Sequence, residues 1–274
     1  MNRGGRFRRR RLGAFLPVLI LPLITVGPAA DAAVRSMRVE GTEFRVDHDD
    51  GRVLTSRDLV GAILDMRIGD AVVPVRIDGV MADPMDPTGS ILLHDFRVRD
   101  EATDVWQPLC QPDAQGRRLG FPLARPRNGG YALTCTAGAE GKCVRFGYRP
   151  WQAEPDGRSL APYHEACIRM VRADYCGDGR AYTRDGTLID LYDRLGIQRP
   201  EADSGLAFEA AWGPDGAACV HHMRVPANGS LDELAAACPR LAAAPMGPAC
   251  QEDDFADRPD ILLFNRSQNH SVGP

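Results

Sequence analysis

RMVRADYCGDG, residues 169–179, decides how the second half of this chain is read. Two carboxylates (Asp174, Asp178), a thiol (Cys176) and two glycines (Gly177, Gly179) crowd into six residues. Upstream, APYHEACIRMVRADYCG opens with Pro162, a favoured first-turn residue of helices. Tyr163, Cys167, Met170, Val171 and Asp174 then recur at helical spacing. The pattern predicts a helix over 162–175, stopped by Gly177. On that helix Cys167 and Cys176 face opposite ways and lie about 13 Å apart. They are too far apart to bridge each other, so each is expected to tie the helix to a different element. Asp174 then pairs with an arginine such as Arg145, or caps nearby backbone. The stretch reads as a structural junction.

Four chemistries compete with that reading. Asp174, Asp178, Gly179 and Asp185 echo the spacing of a calcium loop. Cys176 holds the third position, however, and a thiol suits a hard cation poorly. Cys176 as a nucleophile follows a helix end, where the dipole disfavours the thiolate, and His164 is roughly three turns away. His164 with Cys167, and Cys219 with His221, have zinc-like spacing, but exported thiols tend to oxidise. Finally, Asp174 with Asp178, or Asp190 with Asp193, are candidate carboxylate pairs for glycoside hydrolysis. The catalytic candidates are therefore His164, Asp174, Asp178 and the lone lysine of the chain, Lys142, which stands against 32 arginines. No metal and no cofactor is expected.

The chain begins with Arg3, Arg6 and Arg8–Arg11, then an apolar run, Leu12–Val26, broken by Pro17 and Pro22. Ala30 and Ala32 have the small-residue spacing of a cleavage site. Residues 1–32 read as a secretory signal peptide. The run falls short of the roughly 20 residues that span a bilayer. Removing residues 1–32 leaves 242 residues with 27 basic and 36 acidic side chains, a net charge of −9. That balance argues against a nucleic-acid partner, which needs a basic face. No second long apolar run follows, so no membrane span is expected after cleavage. All eight cysteines follow: Cys110, Cys135, Cys143, Cys167, Cys176, Cys219, Cys238 and Cys250. An even count in an exported chain implies disulfides, whose pairing the sequence leaves open.

Residues 33–128 are predicted to be β-rich. MRVEGTEFRV, VVPVRIDGV and ILLHDFRVRD alternate with turn signals at 47–51, 67–70 and 81–89. A cysteine-rich domain is expected over 129–250. Its Asp185-Gly186 predicts a hairpin between AYTR and TLIDLYD. A second hairpin is expected to turn at Gly213–Gly216, and Ser230 with Glu233 form a capping box for a short helix stopped by Pro239. Residues 251–274 read as a polar tail that frays. The fold class is α+β: a β-rich region, then a disulfide-stabilised domain of one main helix, two β-hairpins and a short capped helix.

KCVRFGYRPW at 142–151, CIRMVRADYCGDG at 167–179, TRDGTLIDLYD at 183–193, FEAAW at 208–212 and GAACV at 216–220 together resemble the ADYC domain family, named for the letters at Ala173–Cys176. The likeness covers roughly 130–250; Phe146 stands where Trp is expected. The resemblance implies an exported bacterial protein and carries a catalytic role to no residue. The expected function is a non-enzymatic extracytoplasmic binding or envelope-associated protein. Tyr148, Trp151 and Trp212 are its candidate contacts to a protein or glycan partner. The rival is a cell-envelope hydrolase of glycan or peptide, using carboxylates within 174–193.

Overall fold

The computed structural model describes residues 33–268, apart from 69, 101 and 126–128. The signal-peptide reading of residues 1–32 lies outside the described residues. The fold is α+β, with β-rich sheets, few helices and four disulfides. No helix among the described residues is long and apolar enough to cross a membrane.

Strands β1 (Val34–Glu40), β2 (Glu43–His48) and β3 (Val53–Thr55) form an antiparallel meander. A second antiparallel sheet follows. It contains β4 (Ile63–Ile68), β5 (Ala71–Ala82), β6 (Leu92–Arg99), β7 (Trp106–Pro108), β8 (Gly120–Arg125) and β9 (Gly130–Cys135). Period-two alternation turns Phe44 and Val46 of β2 inward against Val75 and Ile77 of β5 and Phe96 of β6. His94 is fully buried here, stacked on Phe96 at 5.1 Å and met edge-on by Phe44 at 5.7 Å.

Among the described residues, four α-helices, three short 3-10 turns and a third sheet make up the rest. The helices and strands are α1 (Ala139–Arg145), α2 (Ala161–Arg172), α3 (Leu231–Ala237) and α4 (Pro239–Ala242), with β10 (Ile189–Asp193), β11 (Ala207–Gly213), β12 (Gly216–Val220) and β13 (Leu263–Ser267). The strands run in the order β10-β13-β11-β12, all antiparallel. Tyr163, Ala166, Cys167 and Met170 of α2 pack with Ala210 and Trp212 of β11 and Leu263 of β13 in one core. Val144 of α1 packs instead with Leu93 and Phe121 of the N-terminal sheet, so α1 belongs to both halves. The boundary expected at 128/129 falls between β8 and β9, which pair with each other.

Three expectations need correction. Of the polar tail expected over 251–274, the described part, 251–268, is not a fraying tail: β13 lies between β10 and β11, with Ile261, Leu263, Phe264 and Asn265 buried. The run ILLFN is short, and the polar QEDDFADRPD before it hides its strand character. The Asp185-Gly186 turn forms, but β10 pairs with β13 rather than with residues 181–184. Tyr182 is held in the core instead, its N–H donating to the Arg172 carbonyl. Helix α2 ends at Arg172, not 175, because Ala173 takes the left-handed conformation, φ 49°, that usually falls to glycine. The other hairpin, β11–β12, forms as predicted, as does the Ser230–Glu233 capping box. Pro239 opens α4 directly after Cys238.

Candidate functional site

Each of the four residues after α2 has one structural task. Ala173 caps the helix: its N–H donates to the carbonyls of Arg169 and Met170. Asp174 is fully buried, and its carboxylate accepts from the N–H groups of Gly177 and Gly179, each at 2.9 Å, and from Arg169 at 2.6 Å. Tyr175 sends its hydroxyl into the core and stacks its ring on Trp212 at 5.3 Å. Cys176 bridges to Cys238 at the α3–α4 junction. Gly177, at φ +78°, then lies against the Asp215 carbonyl so closely that a Cβ would collide with it. The turn thereby docks on the β11–β12 hairpin, where Ala217 N–H donates to the Tyr175 carbonyl at 2.9 Å. Cys167 goes to a different partner, Cys143 of α1.

Behind this turn lies a closed polar network. The Tyr175 hydroxyl donates to Glu209 Oε1 at 3.0 Å and accepts from the Arg224 backbone N–H at 3.0 Å. Arg224 meets Glu209 twice, Nε to Oε2 and Nη2 to Oε1, both at 2.9 Å. Asn265 donates to Glu209 Oε2 at 2.8 Å and accepts from the Trp212 indole at 2.7 Å. Arg224 also donates to the carbonyls of Met170 and Val171. A helix leaves its last four carbonyls without intrahelical partners. Here Ala173 and Asp174 satisfy Arg169, Arg224 satisfies Met170 and Val171, and Tyr182 satisfies Arg172. Burial pushes the Glu209 carboxyl up, but the charge and hydrogen bonds of Arg224 outweigh it and leave the pKa below the usual value. Burial, then the Glu209 charge, push the Tyr175 phenol well up. The group is an ionised, saturated pair with a phenol that keeps its proton.

A second set of charges joins the halves. Arg145 Nε donates to Asp83 at 2.7 Å, and its Nη1 reaches Asp113 at 3.3 Å. Arg149 donates to Asp86 at 2.8 Å and to the Ser90 hydroxyl at 2.7 Å. Asp86 further accepts from the N–H groups of Ser90 and Ile91. Burial opposes ionisation of Asp86, yet donors from Thr88, Ile91 and Arg149 hold it well below the usual carboxylate range. Thus KCVRFGYRPW sends both its outward arginines into the Asp-rich loop after β5.

The family model of the ADYC domain matches residues 56–226, from the 3-10 turn before β4 to just beyond Arg224. The chain belongs to the ADYC domain family. No curated protein and no solved structure matches it. The ADYC match takes in both arginine sets and all of the six-stranded sheet but not the β1–β3 meander, a reach well beyond the span in which the motifs are distinctive. It stops short of β13, which supplies Asn265 to the buried network.

The remaining candidates of the ADYC domain fall in separate places. His164 is buried on α2; its Nε2 lies 3.2 Å from the Glu140 carbonyl and must donate to it, and burial lowers its pKa. Lys142 is half-buried on α1, beside Cys143. Asp178 is exposed and accepts only from the Arg180 backbone N–H among the hydrogen bonds of the described residues. Asp193 accepts from the N–H groups of Leu195 and Gln198 and from the Tyr148 hydroxyl. Asp190 accepts from the Glu201 N–H. Two of the three expected surface aromatics are corrected: Tyr148 and Trp212 are fully buried, their polar tips spent on Asp193 and Asn265. Large rings bury most area when such a partner is within reach. Trp151 is exposed, with its indole over Gly41 of the β1–β2 turn. Arg145 bonds Asp83 and Asp113, and Arg169 takes the place expected of it beside Asp174.

The chemistry open to sulfur is limited. Cys110–Cys135 and Cys219–Cys250 complete the four bridges, so neither zinc-like pair offers a thiol. Among the described residues no group of three or more His, Cys, Asp or Glu side chains is arranged to hold a metal ion. The buried Arg224–Glu209 pair was missed in the sequence reading. Its signal was there: a glutamate inside the apolar run FEAAW needs a partner.

Proposed function

We propose that this ADYC domain protein works outside the cytoplasm, at the cell envelope or beyond it, and that it acts by binding rather than by catalysis. One observation carries the reading: the side chains of Asp174, Tyr175 and Cys176 are consumed by the fold. The Asp174 carboxylate is saturated by two N–H groups and Arg169, the Tyr175 hydroxyl lies in a closed network, and Cys176 is in a disulfide. A general acid, base or nucleophile needs access to substrate. The four disulfides support an oxidising compartment.

The test has two parts. Cells are fractionated with a thiol-alkylating reagent present, and the mass is read with and without reduction. The expected result is an extracytoplasmic protein with every cysteine protected. Recovery as a cytoplasmic thiol protein refutes export. The oxidised protein is then assayed against envelope glycans and peptides, beside Asp178→Asn. No turnover is expected; hydrolysis that Asp178→Asn abolishes would establish the hydrolase instead.

A further inference from the structure

We infer that the surface depression between β11 and the segment after Cys250 binds an organic cation, an alkylammonium or guanidinium group. The inference rests on the reading of this protein as a binding protein and gives it a ligand class. The depression has a volume of about 280 Å³ and is lined by Phe208, His221, Gln251, Glu252 and Asp253.

Its chemistry is one-sided. A carbonyl oxygen only accepts, so at 2.9 Å from the Cys250 carbonyl the His221 Nδ1 carries the proton. In the tautomer that this bond selects, Nε2 is an acceptor. The Gln251 amide nitrogen donates to the Pro248 carbonyl, which leaves its oxygen for a ligand. Glu252 and Asp253 add carboxylates, and neither lysine nor arginine is among the lining residues. Phe208, its ring 6.3 Å from that of His221, supplies an aromatic face. Such a face attracts a cation through its quadrupole. A ligand carrying N–H donors and positive charge complements every one of these groups, whereas an anion meets like charge and acceptors.

The same sheet already holds a guanidinium in this way. Arg266 stands opposite Phe208 in the strand register, with its guanidinium 5.0 Å over the Tyr192 ring. It lies 3.9 Å from both Asp190 and Glu252, a loose contact, so Asp253 is the carboxylate of the depression without an arginine beside it. The Cys219–Cys250 bridge anchors the carbonyl that sets the His221 tautomer, so the acceptor wall is built into the covalent frame.

The experiment is calorimetric titration of the intact, oxidised protein with two probes: putrescine, a free diamine, and the peptide acetyl-Gly-Lys-Gly-amide. Acetyl-Gly-norleucine-Gly-amide is the uncharged control. Saturable binding that weakens with added NaCl is expected. Phe208→Leu should weaken it about two- to fivefold, and Asp253→Asn should weaken it as well. Binding of putrescine alone assigns the site to small free cations; binding of the peptide assigns it to a basic side chain of a partner. Either supports the site. No binding of either probe, equal binding of the norleucine control, or affinity indifferent to both substitutions overturns it. That failure would leave the alkylation and turnover results untouched, so the two readings fall separately.

Discussion

The buried charges of the C-terminal core and those at the seam between the halves use the same chemistry in different surroundings. Arg224 and Glu209 are 1% and 0% exposed in their side chains. All five N–H donors of Arg224 are spent, on Glu209, the carbonyls of Met170 and Val171, and the Thr183 hydroxyl. At the seam, Asp83, Asp86 and Asp113 are nearly as buried, but Arg145 and Arg149 stay 12% and 13% exposed. Water can replace a lost seam contact and cannot replace a lost core contact. The core pair therefore fixes where α2, β11 and β13 sit. The seam pairs hold two bodies together at lower cost of rupture.

Arg224→Ala is the strongest way to break this contrast. It strands Glu209 and two helix carbonyls, and should cost about 3–5 kcal/mol in urea unfolding. Arg224→Lys should not rescue it, because an ammonium lacks the planar fork. A loss no larger than that of a surface arginine would dissolve the distinction. Next comes Cys143→Ala with Cys167→Ala, which unties α1, shared by both halves, from α2. A loss of about 2–4 kcal/mol is expected; two separate unfolding transitions would show that this bridge makes the halves one unit.

His94 sharpens the comparison with a buried group that carries no charge. Burial lowers its pKa to about 4, from 6.5. The unfolded chain then binds the proton first as pH falls, so its contribution is whole above 6.5 and is lost between 6.5 and 4. About 2 kcal/mol should disappear between pH 7 and 5 on this account. His164 and His222 are shifted in the same direction by burial. His94→Phe should flatten its share of the slope, read as unfolding free energy at each pH; an unchanged slope would mean that His94 does not contribute. The smallest effect is assigned to Arg149→Ala. Asp86 keeps its bonds from Thr88, Ser90 and Ile91, so a loss of about 1 kcal/mol is expected. A loss equal to that of Arg224→Ala would make seam and core alike.

The legible parts of the fold were those with local signals. The β11–β12 turn needs its glycines, the Ser230–Glu233 box is written within four residues, and α2 announces itself by spacing. What escaped depends on partners far along the chain. Ala173 can take a glycine's conformation because Arg224, about fifty residues on, secures the carbonyls beside it. Tyr148 and Trp212 look like surface aromatics until Asp193 and Asn265 supply partners for their polar tips. The depression at His221 was invisible for the same reason: a disulfide brings Cys250 and the three residues after it beneath β12.

The position of β13 also imposes an order of events on the making of this protein. Its partners on both sides, β10 and β11, are synthesised some seventy and fifty residues earlier. Until Leu263–Ser267 is made, β10 and β11 lack the strand that joins them, and Glu209 lacks its bond from Asn265. Because β13 follows both of its neighbours in the chain, a nascent chain that has not reached Leu263 lacks the strand at the centre of this sheet.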